Sequence, residues 1–330
     1  MTSLRSALKS ATALAAFSLS FPLASWAEEP LPVVATFSIL GDMVERIGGE
    51  HIALTTLVGP DGDAHVYQPT PKVARSVAEA DVLFLNGLEF EGWLERLAEA
   101  ASFGGAMVVA TKGVVPIAFD DHDDHDDHDD HADHDDHDDH EKHDDHDDHA
   151  GHVHGAFDPH AWQSLENAVI YANNIAAGLA QADPENAGDY YANRAAFITE
   201  VETLRADIGA MMKSLPADKR TVVTPHDAFG YFAATYDLTF VAPQGMSTDS
   251  EVSAADVAAL ITQIREESIS AVFIESITDN RMMQQIADET GATIGGTLYS
   301  DALSAQSGPA STYLDMMRHN ATTLFDALGN

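Results

Sequence analysis

The chain has 330 residues, a formal net charge of −38 with histidine neutral, and no cysteine. Roughly 300 residues are enough for two domains of ordinary size. The lack of cysteine excludes disulfides and thiolate metal sites. The acidic balance argues against a nucleic-acid partner, because a phosphate backbone would be repelled, whereas divalent cations are natural counterions.

The first 27 residues have the pattern of a secretory signal. Arg5 and Lys9 precede an apolar run at residues 11–21, and a segment of small residues ends at Ala27. The run is too short for a spanning helix, so we expect cleavage after Ala27 and a periplasmic protein of a Gram-negative bacterium. Because no cysteine follows the signal, we expect no lipid anchor.

Strands and helices alternate in the first half of the remaining chain. Apolar runs predict strands at residues 33–37, 53–58, 81–86 and 106–110. The intervening segments predict helices at residues 41–47 and 91–101, and a third helix opened by Thr70 with Pro71 at its first position. This alternation is typical of a parallel sheet flanked by helices.

The second half repeats the pattern after a long helical segment. Strands are predicted at residues 221–224, 238–242, 271–275 and 293–298, and helices at residues 228–236, 254–267, 280–290 and 311–328. Residues 183–215 are rich in helix formers, with Asp183 as the expected cap and Pro216 as the stop. A helix of about 30 residues would span ~45 Å, which suits a rod joining two lobes. We therefore predict an α/β lobe at 28–182, a connecting helix at 183–215 and a second α/β lobe at 216–330.

A tract of histidine and aspartate interrupts the first half after its fourth strand. Residues 120–149 hold 18 acidic residues against the single Lys142, and residues 120–154 carry 12 of the 17 histidines. With almost no apolar surface to offset the entropy of ordering, residues 120–154 are predicted to be disordered. Imidazole and carboxylate at this density are ligands for zinc and its neighbours, so the tract is interpreted as a set of weak metal-capture sites. Its histidines are His122, His125, His128, His131, His134, His137, His140, His143, His146, His149, His152 and His154.

Three of the five other histidines follow predicted strands or the tract. His65 lies after the strand at 53–58, His160 where the chain returns from the tract, and His226 after the strand at 221–224. Asp301 follows the last strand. Open α/β sheets bind ligands beyond the carboxyl ends of their strands, so two side chains from each lobe would meet in the cleft. Three imidazoles and one carboxylate can form a tetrahedral zinc site, and we predict one tight Zn2+ there.

The motifs around these four residues resemble those of a known family. They are VATFSI from Val34, GPDGDAH ending at His65, DPHAW around His160, TPHDAFGYF around His226, and YSD ending at Asp301. Together they are similar to the zinc/manganese-specific solute-binding proteins of ABC transporters, cluster A-I, over nearly the whole chain after the signal. The resemblance implies two α/β lobes bridged by a rigid long helix, with the metal held between them by these four side chains.

The resemblance also implies a cargo and a partner. An acidic, histidine-rich loop at this place marks the zinc branch, and manganese members usually carry a carboxylate where this chain has His226. We expect delivery of Zn2+ to an ABC permease by a monomer, with loading from solution or from a periplasmic zinc chaperone. Glu251 and Glu275 are candidates for orienting a ligating imidazole, although Glu275 could equally cap the helix that follows it.

Three other functions are compatible with parts of the sequence: a zinc hydrolase, a metal buffer, and a receptor for another metal. A zinc hydrolase would use three histidines with an open position, but a carboxylate as fourth ligand closes the site to water and the His-Glu-x-x-His motif is missing. A metal buffer would rely on the tract, and a receptor of the same family could carry manganese or iron. We expect no enzyme activity, and structural roles for His51 at a turn and His319 in the last helix.

Overall fold

Two parallel four-stranded sheets organise the chain in this computed structural model, which describes residues 29–118 and 157–329. The first sheet contains β1 (Leu31–Phe37), β2 (Ile52–Val58), β3 (Val82–Leu85) and β4 (Ala106–Val109). The second contains β5 (Thr221–Val223), β6 (Thr239–Val241), β7 (Ala271–Glu275) and β8 (Thr293–Leu298). The strand orders, β2-β1-β3-β4 and β6-β5-β7-β8, are equivalent, and the predicted α/β class with two parallel sheets is confirmed.

Helices connect and flank the strands. In chain order they are α1 (Ser38–Gly48), α2 (Pro71–Ala78), α3 (Leu94–Ala101), α4 (Leu165–Ala182), α5 (Ala187–Lys213), α6 (Gly230–Tyr236), α7 (Ala254–Glu266), α8 (Arg281–Thr290) and α9 (Tyr313–Leu328). Helix α2 begins as predicted, because the Thr70 side chain accepts the N–H of Val73 and Pro71 takes the first position. Short 3-10 turns at Gly49–His51 and Ala161–Gln163 complete the elements in the described part of the chain.

One hydrophobic cluster runs through both halves. It includes Phe37 of the first sheet, Trp162 after the 157–160 segment, and Phe229 and Tyr313 of the second half, all fully buried or nearly so. A second cluster around Val272 and Met283 lies between β7 and the helices α7 and α8. The larger cluster is continuous between the two halves. Separating them would expose its apolar surface to water, so its burial stabilises their contact.

Helix α5 bridges the two halves, as predicted. Its 27 residues correspond to about 40 Å at 1.5 Å per residue. Buried side chains recur every three to four residues, at Phe197, Val201, Leu204, Ile208 and Met212, and so form one apolar face. This face packs on α1 and α4 of the first half and on α6 and α9 of the second.

Two details of this region differ from the sequence analysis. Asp183 does not cap α5: the helix begins at Ala187 with Asn186 as its N-cap residue, and the Asp183 carboxylate accepts hydrogen bonds from Asn186 and from the hydroxyl of Tyr190. Helix α4 was not predicted, because its buried face mixes small residues such as Ala168 and Ala172 with large ones and so gives a weak periodic signal. The predicted signal and the predicted disorder of residues 120–154 lie outside the described residues.

No helix within residues 29–118 and 157–329 has both the length and the apolar character needed to cross a bilayer. The fold brings the carboxyl ends of the strands of both sheets to the cleft between the halves, where the predicted site residues lie.

Candidate metal centre

The four side chains predicted to bind metal lie together in the cleft. His65 belongs to the loop after β2, and His160 precedes the 3-10 turn at Ala161–Gln163. His226 follows β5 and Asp301 follows β8. One ligand atom from each of the four lies within 4.8 Å of all the others, although the residues come from four separate segments.

The Asp301 carboxylate is at the centre of this cluster. Its Oδ2 lies 3.1 Å from Nε2 of His226 and 3.2 Å from Nε2 of His65. Its Oδ1 lies 3.6 Å from Nε2 of His160. The three Nε2 atoms therefore surround one carboxylate and all face the same small volume.

Burial leaves several of these atoms without a hydrogen-bond partner. His160, His226 and Asp301 are fully buried, and the His65 side chain is only 5% exposed. Nε2 of His65, Nε2 of His160 and Oδ1 of Asp301 are buried polar atoms with no hydrogen-bond partner. Such atoms are rare in folded proteins because they lose hydration without replacement. A cation bound among them would satisfy all three, and nitrogen and carboxylate donors fit a divalent transition metal.

Two carboxylates lie behind the imidazoles. Oε2 of Glu275 is 2.6 Å from Nδ1 of His226, and it also accepts a hydrogen bond of 2.8 Å from the hydroxyl of Ser300. Oδ1 of Asp158 is 2.7 Å from Nδ1 of His160 and accepts the backbone N–H of the same residue at 2.8 Å. The hydrogen bond with Asp158 holds the ring proton of His160 on Nδ1 and leaves its Nε2 facing the cluster. The Glu275 carboxylate lies against Nδ1 of His226 without hydrogen-bond geometry, and Nε2 of that ring contacts Asp301.

The electrostatics of the cluster are dominated by its carboxylates. Burial alone would lower the pKa of His226, but Glu275 and Asp301 outweigh it and hold that pKa well above the usual range. Burial would likewise lower the pKa of His160, and Asp301 and Asp158 raise it. Burial would raise the pKa of Asp301, yet His226 and His160 hold it well below its usual value. A positive charge is therefore favoured at this position, as a proton or as a metal ion.

The comparison with known proteins identifies the family. Residues 33–327 match the ZnuA family, described as zinc-uptake complex component A, periplasmic. The chain belongs to this family. The prediction of a metal-binding solute receptor of an ABC transporter is thereby confirmed at the level of the family.

Proteins similar to this chain have names that refer to three different metals. The manganese-binding lipoprotein MntA of Halalkalibacterium halodurans is 29% identical, over 91% of this chain and 89% of its own length. The iron-binding protein YfeA of Yersinia pestis is 30% identical, over 90% of this chain and 86% of its own. The structure titled periplasmic zinc binding protein TroA from Treponema pallidum superimposes with a TM-score of 0.76 at 26% identity, covering 91% and 99% of the two chains. The predicted zinc branch stays a prediction, because family membership alone does not choose among these metals.

Aromatic rings enclose the centre in this ZnuA-family protein. The Phe90 ring lies 4.8 Å from the ring of His65, and the Trp162 ring lies 5.3 Å from that of His160. Trp162 also donates from Nε1 to the backbone oxygen of Ser300, next to Asp301. These rings exclude water from one side of the cluster, which strengthens the electrostatic interactions within it.

The remaining candidates lie at different distances from the centre. Glu275 contacts His226, which is the first of its two expected roles, whereas Glu251 is exposed and makes no hydrogen bond or ion pair with the cluster in the described part of the chain. His51 contacts the Asp189 carboxylate at 2.9 Å, and His319 contacts the backbone oxygen of Thr297 at 3.0 Å. The histidines of the tract lie outside the described residues.

The contact of Asp158 with His160 was not predicted from the sequence. The signal for it was present, since an aspartate two residues before a histidine can accept the N–H of that histidine in an Asx turn. The same pattern occurs at Asp63 and His65, where Oδ1 accepts the backbone N–H at 2.9 Å. Two of the three imidazoles are thus preceded by an aspartate that fixes the local backbone.

Proposed function

We propose that the protein is a non-catalytic receptor that captures Zn2+ outside the cytoplasm and delivers it to an ABC permease. The observation that carries the proposal is the buried cluster in which three imidazole nitrogens and one carboxylate face a single point. We assign His65, His160, His226 and Asp301 as the protein ligands of the transported ion. Zn–N distances of ~2.0–2.1 Å are expected once the side chains contract around the ion.

The donor set favours zinc over manganese or iron. Imidazole suits zinc and copper, whereas manganese prefers carboxylate and water oxygens. Among the four proposed ligands, only Asp301 supplies an oxygen atom. His226 supplies a nitrogen where a carboxylate would favour a harder ion such as manganese. A manganese or iron receptor is the alternative function, and it is supported by the names of the relatives MntA and YfeA.

The buried centre supports a receptor more than an enzyme. Catalytic zinc retains an open position for water or substrate, whereas Asp301 is fully buried and surrounded by the three imidazoles. We propose that the tract captures zinc at weaker sites and holds it near the centre. The tract ends only a few residues before His160, so zinc bound there stays close to the proposed ligands. The alternative, a metal buffer, would depend on the tract and not on the centre.

We further propose the export, the domain limits and the oligomeric state expected from the sequence. They are a signal at residues 1–27, a periplasmic form without a lipid anchor, domain limits at 28–182, 183–215 and 216–330, and action as a monomer. The relative MntA is named a lipoprotein, so the anchor in particular needs a direct test by mass determination of the mature protein.

Competition with a chromogenic chelator tests the proposed function. Protein lacking residues 121–149 should bind one equivalent of zinc more tightly than manganese or iron(II). His160→Ala should weaken zinc binding by orders of magnitude, because it removes one of four protein ligands. His51→Ala should bind like the parent, because His51 contacts Asp189 and not the cluster. Tighter binding of manganese than zinc would support the alternative receptor, and unchanged affinity in His160→Ala would refute the assigned site.

A further inference from the structure

Asp63 connects a proposed metal ligand to the opposite half of the molecule. Its Oδ1 accepts the backbone N–H of His65 at 2.9 Å. Its Oδ2 accepts a hydrogen bond of 2.6 Å from the hydroxyl of Thr248, which lies between β6 and α7 in the second half. The partly buried Asp63 carboxylate therefore bonds to the His65 loop through one oxygen and to Thr248 of the second half through the other.

The segment that carries Thr248 is attached to a second proposed ligand. We call residues 244–250 the cleft loop. The Gln244 amide donates to the backbone oxygens of Thr248 and Ser250, at 2.9 and 2.7 Å, and so closes the cleft loop on itself. At its start, Gln244 forms a parallel bridge with His226, and its backbone oxygen accepts the N–H of Asp227. The cleft loop thus links the His226 segment to the His65 segment through the contact of Thr248 with Asp63.

His65 depends on this link more than the other two imidazoles do. Asp158 and Glu275 lie against Nδ1 of His160 and His226, but no carboxylate contacts Nδ1 of His65 within the described residues. His65 is also the one histidine of the cluster whose side chain is not completely buried. Its position is set by the backbone of its loop, and the Asp63 carboxylate is bonded to that backbone.

We propose that Asp63 is a positioning residue for His65, and that the hydrogen bond from Thr248 to Asp63 is the contact whose opening controls metal release. The inference rests on the proposed metal-receptor function. Breaking this contact removes the hydrogen bond between the His65 loop and the cleft loop. The His65 loop is then held to the second half through Asp61, which bonds to the backbones of Leu303 and Ala305, while His160 and His226 keep the carboxylates beside them. The ion would then lose His65 first, and a partner that draws the cleft loop away from Asp63 would accelerate release.

Release kinetics of Thr248 variants test the inference. Zinc-loaded protein lacking residues 121–149 is mixed with excess chelator in a stopped-flow instrument, and association is measured separately. Thr248→Val keeps the shape and removes the hydroxyl, so zinc release should be about tenfold faster, the effect of losing a hydrogen bond to a charged group. The association rate should stay within about twofold, because diffusion and the remaining ligands are unchanged. Thr248→Ser keeps the hydroxyl and should release zinc like the parent.

The controls separate a local link from a general loss of structure. Thr262→Val removes a hydroxyl that bonds to Ala258 on the exposed face of α7, and it should leave release unchanged. Asp63→Ala should accelerate release, and adding Thr248→Val to it should have little further effect, because both remove the same contact. Equal release rates for Thr248→Val and Thr262→Val would overturn the inference even if Asp63→Ala did not fold. Failure of the parent to retain one zinc would instead refute the proposed function.

Discussion

The carboxylate behind His226 provides a sharp test of how the centre binds metal. Glu275 is 1% exposed, and its Oε2 lies 2.6 Å from Nδ1 of the ring. Glu275→Gln preserves the size of the side chain and removes its charge. The hydroxyl of Ser300 loses a charged acceptor, but the glutamine side chain has the same number of heavy atoms, so the packing around it is preserved.

The expected loss of zinc affinity is about 10- to 100-fold, the usual effect of removing a carboxylate that supports a ligating imidazole. This corresponds to about 1.4–2.7 kcal/mol of binding free energy. The loss should grow with pH. Glu275 holds the pKa of His226 well above its usual range, so in the parent a proton competes with zinc up to a higher pH than in the variant. At low pH this proton lowers the zinc affinity of the parent more than that of the variant, so the two affinities lie closer together. The full difference in zinc affinity is reached only above the pKa of His226.

The assay is competition with a zinc chelator at several pH values from about 5.5 to 9, a range that spans the usual pKa of histidine. Glu91→Gln is a matched control, since Glu91 is also a buried glutamate but bonds to the hydroxyl of Thr36 and the N–H of Asn86, and not to an imidazole. The control should keep its zinc affinity. A loss in Glu275→Gln that is the same at every pH would refute the reasoning, because general damage to the site would not follow the titration of His226.

Three further predictions concern pH and the tract. Zinc affinity of the parent should fall as pH decreases through the titration of the ligating imidazoles, because they must be neutral to bind; unchanged affinity between pH about 8 and about 5 by chelator competition would contradict this. Burial raises the pKa of Asp42 to about 6 while its carboxylate accepts the N–H of Tyr313. Ionisation therefore destabilises the folded protein as pH rises from about 4 to about 6, and Asp42→Asn should increase the free energy of unfolding by up to about 3 kcal/mol above pH 7, with no gain below pH about 4 in urea titrations. Deletion of residues 121–149 should leave one tight zinc site and remove several weaker ones by titration calorimetry, and loss of the tight site would show that the tract belongs to it.

The sheets and the position of the centre could be predicted because they follow from local patterns and one general rule. Short apolar runs alternating with helical segments indicated eight strands, and all eight are present. Parallel strands direct their carboxyl ends to one edge, so residues that follow strands, such as His65, His226 and Asp301, were expected to meet. The bridging helix α5 could be predicted from its run of helix formers and from Pro216 at its end, and its length indicated that it joins the two halves.

The contacts that refine the centre could not be predicted in the same way. The hydrogen bond from Thr248 to Asp63 joins residues 185 positions apart, and it depends on how the two halves pack. Glu275 had two equivalent roles in the sequence, because a residue at the end of a strand can cap the next helix or reach a neighbouring loop. Helix α4 could not be predicted because its buried residues mix alanines with large side chains such as Tyr171 and Ile175, which weakens the hydrophobic contrast between its faces.

The identity and position of the bound ion test the central proposal most directly. Protein lacking residues 121–149 would be crystallised with equal concentrations of zinc and manganese, and anomalous differences recorded at both absorption edges. We expect a single strong zinc peak between Asp301 and the Nε2 atoms of His65, His160 and His226. A manganese peak at that position, or a zinc peak found only elsewhere, would contradict the proposal.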